Sequence, residues 1–374
     1  MSQTLITDKN LAPTGTMPAW DGSNLINIGD GIEKGTNNPT ISSGNGKDIG
    51  TIYLNTTTGE MYCLTDATAD ANVWQNIGAG SGHVAPFTSA TGGNITIDGD
   101  YKIHTFTSSG SFVVSQTGTP IEYLVVAGGG GSGIQHGGGG GAGGYRSSVV
   151  GENSGGGASA ETIFSPSIAT YVVTVGAGGT GSSGAGVRGT SGSNSSFDSI
   201  TSLGGGGGGS YLASVNSSMN GIDGGSGGGA GSFEGNLAGC GYGNIGGAST
   251  ASQGYAGGRS SYSGGGGGGA SSAGSDGCGA SPYGDAGNGG AGINSSITGA
   301  SVGRAGGGGG GSYGYNGGGS SGTASHGAGA GGHGASGGTN GTINTGGGAG
   351  GGGALSHGAS NGGSGVVILR YKFQ

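Results

Sequence analysis

Six consecutive glycines occur at Gly204 to Gly209, again at Gly264 to Gly269 and again at Gly306 to Gly311, and such blocks close off most routes to a folded state. A glycine block has no side chains to bury, and it gives up more backbone freedom on ordering than other sequences. The chain holds 109 glycines in 374 residues, with 7 prolines and 7% charged residues. Ordinary globular chains have roughly 7% glycine and about 25% charged residues, so a conventional apolar core cannot account for most of this one. The glycines are also unevenly placed. Residues 1–127 have nearly normal composition, whereas 128–365 are dominated by the runs, and that shift marks the main division of the chain.

A Gly/Ser-rich stretch is ordinarily a flexible linker. Here Tyr, Val, Ile and Phe interrupt the runs at irregular places, and the chain closes on GVVILRYKFQ (365–374), an apolar strand that must pair with something. A collagen triple helix needs glycine at every third position and abundant proline, which glycine blocks with scarce proline do not supply. The remaining ordered state is a bundle of packed polyglycine II helices, extended and left-handed, with three residues per turn and about 3.1 Å rise. That helix has no internal hydrogen bonds. Its N–H and C=O groups point sideways and bond neighbouring helices once glycine on every face lets backbones approach. Fixing a residue costs roughly 1–2 kcal/mol, while one net hydrogen bond returns about 0.5–1.5. A single run therefore stays unfolded, and many must pack together. Where Ala, Ser, Asn or Thr replaces glycine in a run, that position is expected to face outward.

The expected fold class is mostly β plus non-α glycine-rich structure: an N-terminal β-hairpin region, a β-sandwich base and a bundle (sandwich) of packed polyglycine II helices. Residues 1–47 are polar and turn-rich. Residues 48–93 form a β-hairpin module, in which TIYLN and EMYCLT alternate about the turn TTTG and NVWQNI adds a strand with Trp74 on its packed face. Residues 94–203 with 365–374 form the base, from NITI, YKIHTFT, SFVVS, EYLVVA, YRSSVV, TYVVTV and SSFDSITSL, with VVILRYKF closing beside EYLVVA. Residues 204–364 then form the bundle, its runs going out and back, with 210–223 at the far tip.

The formal net charge of -8 is modest and there is no basic stripe, which argues against a nucleic-acid partner. No stretch is long and apolar enough for membrane insertion. The start, MSQTLITDKNLAPTG, lacks the charged and then apolar regions of a secretory signal. Cys63 lies in a strand pattern as a small apolar residue. Cys240 and Cys278 have no metal-ligand spacing; they either pair as a disulfide or stay reduced, as cytosolic thiols do. The string Gly358-Ala359-Ser360-Asn361-Gly362 fits G-x-S-x-G, but that motif needs a strand-to-helix elbow and arises by chance in a Gly/Ser-rich chain. The G-x-G-x-x-G strings arise the same way, and none opens an α-helix. No enzyme and no cofactor are expected. His136, His326, His333 and His357 lack the local spacing of metal sites and are expected as exposed loop residues without a metal.

The strings EYLVVAGGGGSG, GGGGGAGGYRSS, YVVTVGAGG, NSSFDSITSLGGGGGG and GGSGVVILRYKF together resemble glycine-rich bacteriophage tail proteins, especially those of marine phages. The string GTIYLNTTTGEMYCLTDATADANVWQNIG resembles a strand repeat of phage tail fibres. The bundle is similar to the tip adhesin of T-even-like phages, in which a polyglycine-helix sandwich presents variable loops that bind receptors on the bacterial surface. That adhesin is a separate tip protein, whereas this chain carries its own β-rich N-terminal part. Over residues 48–374 the resemblance implies a virion protein on the tail fibre or the capsid surface. Residues 1–47 would then attach to other virion or tail proteins, and a homotrimer is the state familiar from fibre stems.

The tyrosines between the runs, Tyr211, Tyr242, Tyr255, Tyr262, Tyr283, Tyr313 and Tyr315, are the candidate receptor-binding residues. Each offers a rigid apolar face and a polar tip, suited to a host glycan or an outer-membrane protein. The competing reading is that each ring caps the end of a run and shields its last backbone groups. The expected function is a receptor-binding tail-fibre adhesin. The alternatives are a structural virion protein, such as a head fibre or capsid decoration, and an ice-binding protein, since springtail antifreeze proteins also use glycine-rich bundles.

Overall fold

Strands and extended glycine runs make up this protein; its only helical elements among the described residues are two single 3-10 turns, Gly155–Gly157 and Ser217–Met219. The computed structural model describes residues 32–77, 87–211, 217–232, 244–278, 284–314, 318–355 and 358–373. The chain divides into two units, Met1–Pro86 and Phe87–Gln374.

In the smaller unit, β1 (Ile32–Gly35), β2 (Ile52–Asn55), β3 (Met61–Asp66) and β4 (Val73–Asn76) form one sheet in chain order. Strands β2 and β3 make the hairpin expected about TTTG, with Tyr53 opposite Tyr62. Strand β4 places Trp74 opposite Leu64. Alternation puts these four side chains on one face. There Leu64 is fully buried, and the Tyr53 and Trp74 rings meet edge to face at 5.7 Å. Strand β1 pairs parallel with β2. IEKG carries no alternation from which a strand is legible.

The larger unit contains β5 (Ser89–Thr91), β6 (Asn94–Asp98), β7 (Tyr101–Phe106), β8 (Gly110–Gln116), β9 (Glu122–Val126), β10 (Tyr145–Ser147), β11 (Ala169–Thr174), β12 (Ser195–Phe197), β13 (Ile200–Ser202), β14 (Ile293–Ser295), β15 (Val302–Arg304) and β16 (Val366–Lys372). One five-stranded sheet has the order β10-β9-β16-β7-β6, and another the order β13-β12-β11-β8-β5. The closing strand β16 lies antiparallel to both β9 and β7, which places it beside EYLVVA as its sequence requires. Strands β14 and β15 form a separate two-stranded hairpin.

The two five-stranded sheets share one apolar core. Phe106, Tyr123, Val125, Leu369 and Tyr371 come from the first, and Phe112, Val114, Val173 and Phe197 from the second. Buried His104 links them further: its ring reaches Gly92 O at 2.7 Å and Tyr371 Oη at 3.1 Å, and that oxygen accepts the Ala90 N–H. The other face of β9 and β16 is buried as well. Leu124, Val126, Val366 and Ile368 pack there with Tyr145 and with Ala142, Ala270 and Ala305 at the ends of glycine runs. Burial on both faces is why these two strands read as unbroken apolar strings instead of alternating ones.

The run 137–144 shows how the glycine runs are held. Gly137, Gly140 and Gly143 donate their N–H groups to Gly352, Ala349 and Gly346; Gly138, Gly141 and Gly144 donate to Gly209, Gly206 and Leu203; Gly139 and Ala142 donate to Gly265 and Gly268. The neighbour changes at each residue and returns every third. Carbonyls follow the same cycle, accepting from runs 308–311, 226–229 and 127–133. Run 137–144 is thus surrounded by six others, although it precedes the span 204–364 to which sequence reading assigned the bundle. Those six also bond to one another in a closed ring, in the order 128–133, 204–209, 226–231, 264–269, 306–311 and 347–353. Glycine is required by close approach. A Cβ built on Gly140 would lie 2.0 Å from Gly130 O.

Peripheral runs carry exposed residues spaced by three, among them Ala177 and Thr180, and Asp285 and Asn288. Outward-facing substitution holds there. It fails for Ala230 and Ala349 inside the inner runs, and for Ala142, Ala270 and Ala305 where runs meet the sheets; all five are wholly buried. At the sheet-proximal ends of inner runs the neighbour is a layer of side chains, and a methyl group packs where a second backbone would have excluded it.

Candidate functional site

Run 137–144 enters β10 at Tyr145, so its start at His136 stands at the end of the bundle away from the sheets. A tight turn makes that end. Gly133 N–H bonds Gly138 O, and Gln135 and His136 both adopt left-handed backbone, with φ of 51° and 57°. Because run 137–144 is central, the turn delivers the imidazole of His136 to the middle of the tip. Surrounding runs end around it: Tyr211 after 204–209, Ser232 after 226–231, Tyr262 before 264–269 and Tyr313 after 306–311.

The rings form one cluster. His136 lies 4.9 Å from Tyr313, 5.9 Å from Tyr211 and 6.1 Å from Tyr262, centroid to centroid, and Tyr262 and Tyr313 meet at 5.1 Å. His136 Nδ1 shares a 3.0 Å hydrogen bond with Ser232 Oγ, and the Ser232 N–H donates to His136 O. His136 and Tyr262 are buried, while Tyr211 and Tyr313 are half-buried. Burial pulls the His136 pKa down to about 4, opposed in part by the Tyr262 carbonyl. The imidazole is therefore neutral at pH 7. It acts as a flat, weakly polar plate within a tyrosine cluster.

Of the seven tyrosines singled out from sequence, Tyr211, Tyr262 and Tyr313 come together here. Tyr255 does not: its N–H bonds Gly269 O, at the sheet-proximal end. Tyr242, Tyr283 and Tyr315 lie outside the described residues, as do His357 and Cys240. The expected scatter of exposed loop histidines is corrected at His136, which is buried because its turn caps the central run. His333 stands at the tip with Nδ1 2.9 Å from Ser312 Oγ, and His326 at the opposite end, its carbonyl accepting from Gly306. Among the described residues no three potential metal ligands converge. Cys278 is disulfide-bonded and Cys63 is free.

Two further polar features have their partners within the chain. Ser360, from the G-x-S-x-G string, is buried; its N–H donates to Ser132 Oγ and its carbonyl accepts the Ser132 N–H, an extended pairing and not an elbow. A cleft beside the first sheet is lined by Tyr123, Arg146, Glu161 and Gln253. Its charges are satisfied, since Arg146 Nε and Nη2 donate to both Glu161 oxygens and the Tyr123 hydroxyl donates to Glu161 Oε2.

Sequence reasoning missed His136 and Ser232 as members of the tip cluster. The available signal was local: GGGGSGIQHGGGGG is two glycine runs joined by a short non-glycine turn, and a turn between paired runs must lie at an end. A family model described as a glycine-rich domain matches residues 105–372. No curated protein matches the chain.

Proposed function

The chain belongs to the glycine-rich domain family, and from that premise we propose that it is a bacteriophage tail-fibre adhesin which binds a host surface receptor at the tip of a polyglycine II bundle. The three-residue cycle of backbone bonds supports the helix assignment, since a left-handed helix of three residues per turn aims successive N–H groups at three different neighbours. The shared core of the two five-stranded sheets supports reading them as a β-sandwich base. The observation that carries the functional reading is the convergence of Tyr211, Tyr262, Tyr313 and His136 at the end of the runs farthest from the sheets. Aromatic groups on a rigid scaffold supply contact area with little ordering cost. On this reading the N-terminal region holds the other virion proteins, and the assembled fibre is a homotrimer.

The test is adsorption of the source phage carrying Tyr211→Ala with Tyr313→Ala. Adsorption is expected to fall at least about tenfold, equivalent to roughly 1.4 kcal/mol, with the unfolding transition unchanged. Unchanged adsorption overturns the reading. One observation favours the second reading, a structural head-fibre or decoration protein. Tyr262 and His136 are nearly fully buried, as expected of rings that only seal the run ends. Immunogold labelling of intact particles separates the two: label at fibre ends supports the adhesin, and label over the head supports decoration.

A further inference from the structure

The two five-stranded sheets end in four edge strands, and three of these are short: β5, β10 and β13 have three residues each. The fourth, β6, runs for five residues in unbroken register with β7. An edge of that length is a template for another strand, and proteins ordinarily blunt it with proline, lysine or a bulge. NITID (94–98) has none of these. All five residues are exposed, Ile95 at 45% and Ile97 at 63%, so two large apolar side chains stand in solvent beside an unblunted edge.

The backbone groups of β6 divide between its two sides. Phe373 N–H donates to Asp100 O, so the even-numbered residues of β7 turn their bonding groups toward β16, and Tyr101, Ile103 and Thr105 turn theirs toward β6. The partners of those three are Asp98, Thr96 and Asn94. Alternation then directs the N–H and C=O of Ile95 and Ile97 away from β7, along the outer edge. Their side chains share a face with His104 and Lys102, which stand opposite them. His104 is buried and meets the Phe112 ring of the second sheet edge to face at 5.0 Å. The face of the first sheet that carries the shared core therefore continues onto Ile95 and Ile97, where it reaches solvent.

We propose that β6 is the contact through which two copies of this chain pair, antiparallel about a two-fold axis at Thr96. In that register the strand is complementary to itself. Ile95 stands opposite Ile97 of the second copy, and the reverse, so every outward N–H and C=O of both edges gains a partner and four isoleucine side chains gather on one face. At each end Asn94 stands opposite Asp98 of the second copy, an amide against a carboxylate, and no like charges face each other. A second copy is the occupant because each of the five positions finds its complement within the same five residues. Five residues a side fall short of the roughly 1,200–2,000 Å² of a stable interface, so the association is weak and depends on concentration. A two-fold contact lies outside a three-fold stem and joins one stem to another. The inference is independent of receptor binding at the tip.

Sedimentation equilibrium and residue-resolved amide exchange on the full-length protein, from about 1 μM to about 300 μM, test it. The mass is expected to double as concentration rises, from monomer to dimer, or from trimer to hexamer where a stem has formed. Over the same range, exchange at Ile95 and Ile97 is expected to slow at least about threefold, while Thr96, already bonded to β7, stays constant. Ile97→Pro removes one outward N–H without touching the β6–β7 bonds, and should abolish both effects at an unchanged unfolding midpoint. If proline lowers that midpoint, Ile95→Lys is the second variant: it places a charge at an exposed position on the pairing edge and should abolish pairing alone. A mass fixed at monomer or trimer throughout overturns the proposal. So does protection of Ile95 and Ile97 that is independent of concentration, or a doubling of mass that survives the variants.

Discussion

A single methyl group placed on the central run tests the account of the bundle most directly. In Gly140→Ala the new Cβ would lie 2.0 Å from Gly130 O and 2.6 Å from Gly130 C. Relief requires the two backbones to part by more than about 1 Å, because ordinary carbon–oxygen contacts begin near 3.4 Å. Four bonds converge at this point: Gly140 N–H to Ala349 O, Gly308 N–H to Gly140 O, Ala349 N–H to Gly130 O and Gly130 N–H to Gly141 O. All are buried, and a buried polar group left without its partner costs about 1–3 kcal/mol. Losing two or three of the four gives a destabilisation of about 2–9 kcal/mol, which reaches the whole stability of an ordinary domain. The control is Gly184→Ala. A Cβ there meets nothing within 4 Å and the backbone is not left-handed, so the change should be neutral or stabilising by about 0.4–1 kcal/mol. Urea unfolding of the two variants beside the native protein measures the difference. If Gly140→Ala falls within about 1 kcal/mol of Gly184→Ala, the runs do not approach as closely as described and the argument for glycine fails.

Other perturbations address the tip, the base and the periphery. His136 titrates near 4 in the folded protein and near roughly 6.5 unfolded, so its contribution is complete above about pH 6.5 and is lost as pH falls toward 4. The loss amounts to about 3 kcal/mol, and His136→Asn, which suits the left-handed backbone, should flatten it; equal acid sensitivity in native and variant protein would refute the assignment. In the base, Glu122→Ala leaves Arg370 without the buried partner it holds at 2.6 Å and should cost about 3–5 kcal/mol in chemical denaturation. On the periphery, Asn288→Ala removes the acceptor for the Thr323 N–H and hydroxyl and should lower stability by only about 0.5–1.5 kcal/mol, read as a small shift in thermal midpoint.

The strands were legible because alternation and apolar strings are local signals. EMYCLT, EYLVVA and VVILRYKF each announce a strand, and the need of the last for a partner near EYLVVA follows from its apolarity alone. The parallel partner β1 was not legible, since parallel pairing joins distant segments and IEKG has no pattern of its own. Nor was the separation of Tyr255 from Tyr262. Seven residues separate them, about one run's length, and only the run's direction decides that one ring faces the sheets and the other the tip.

Composition by itself determined that this chain would build ordered structure from backbone packing, because glycine blocks leave no side chains from which to make a core. It also determined which segments would pair as strands. Which run is central and which histidine is buried beside which tyrosines were decided only in three dimensions. The physical reason is that glycine runs are nearly identical to one another. Their neighbours are chosen by where the strands and turns deliver each run, and the sequence of the run itself contains almost nothing to distinguish one neighbour from the next.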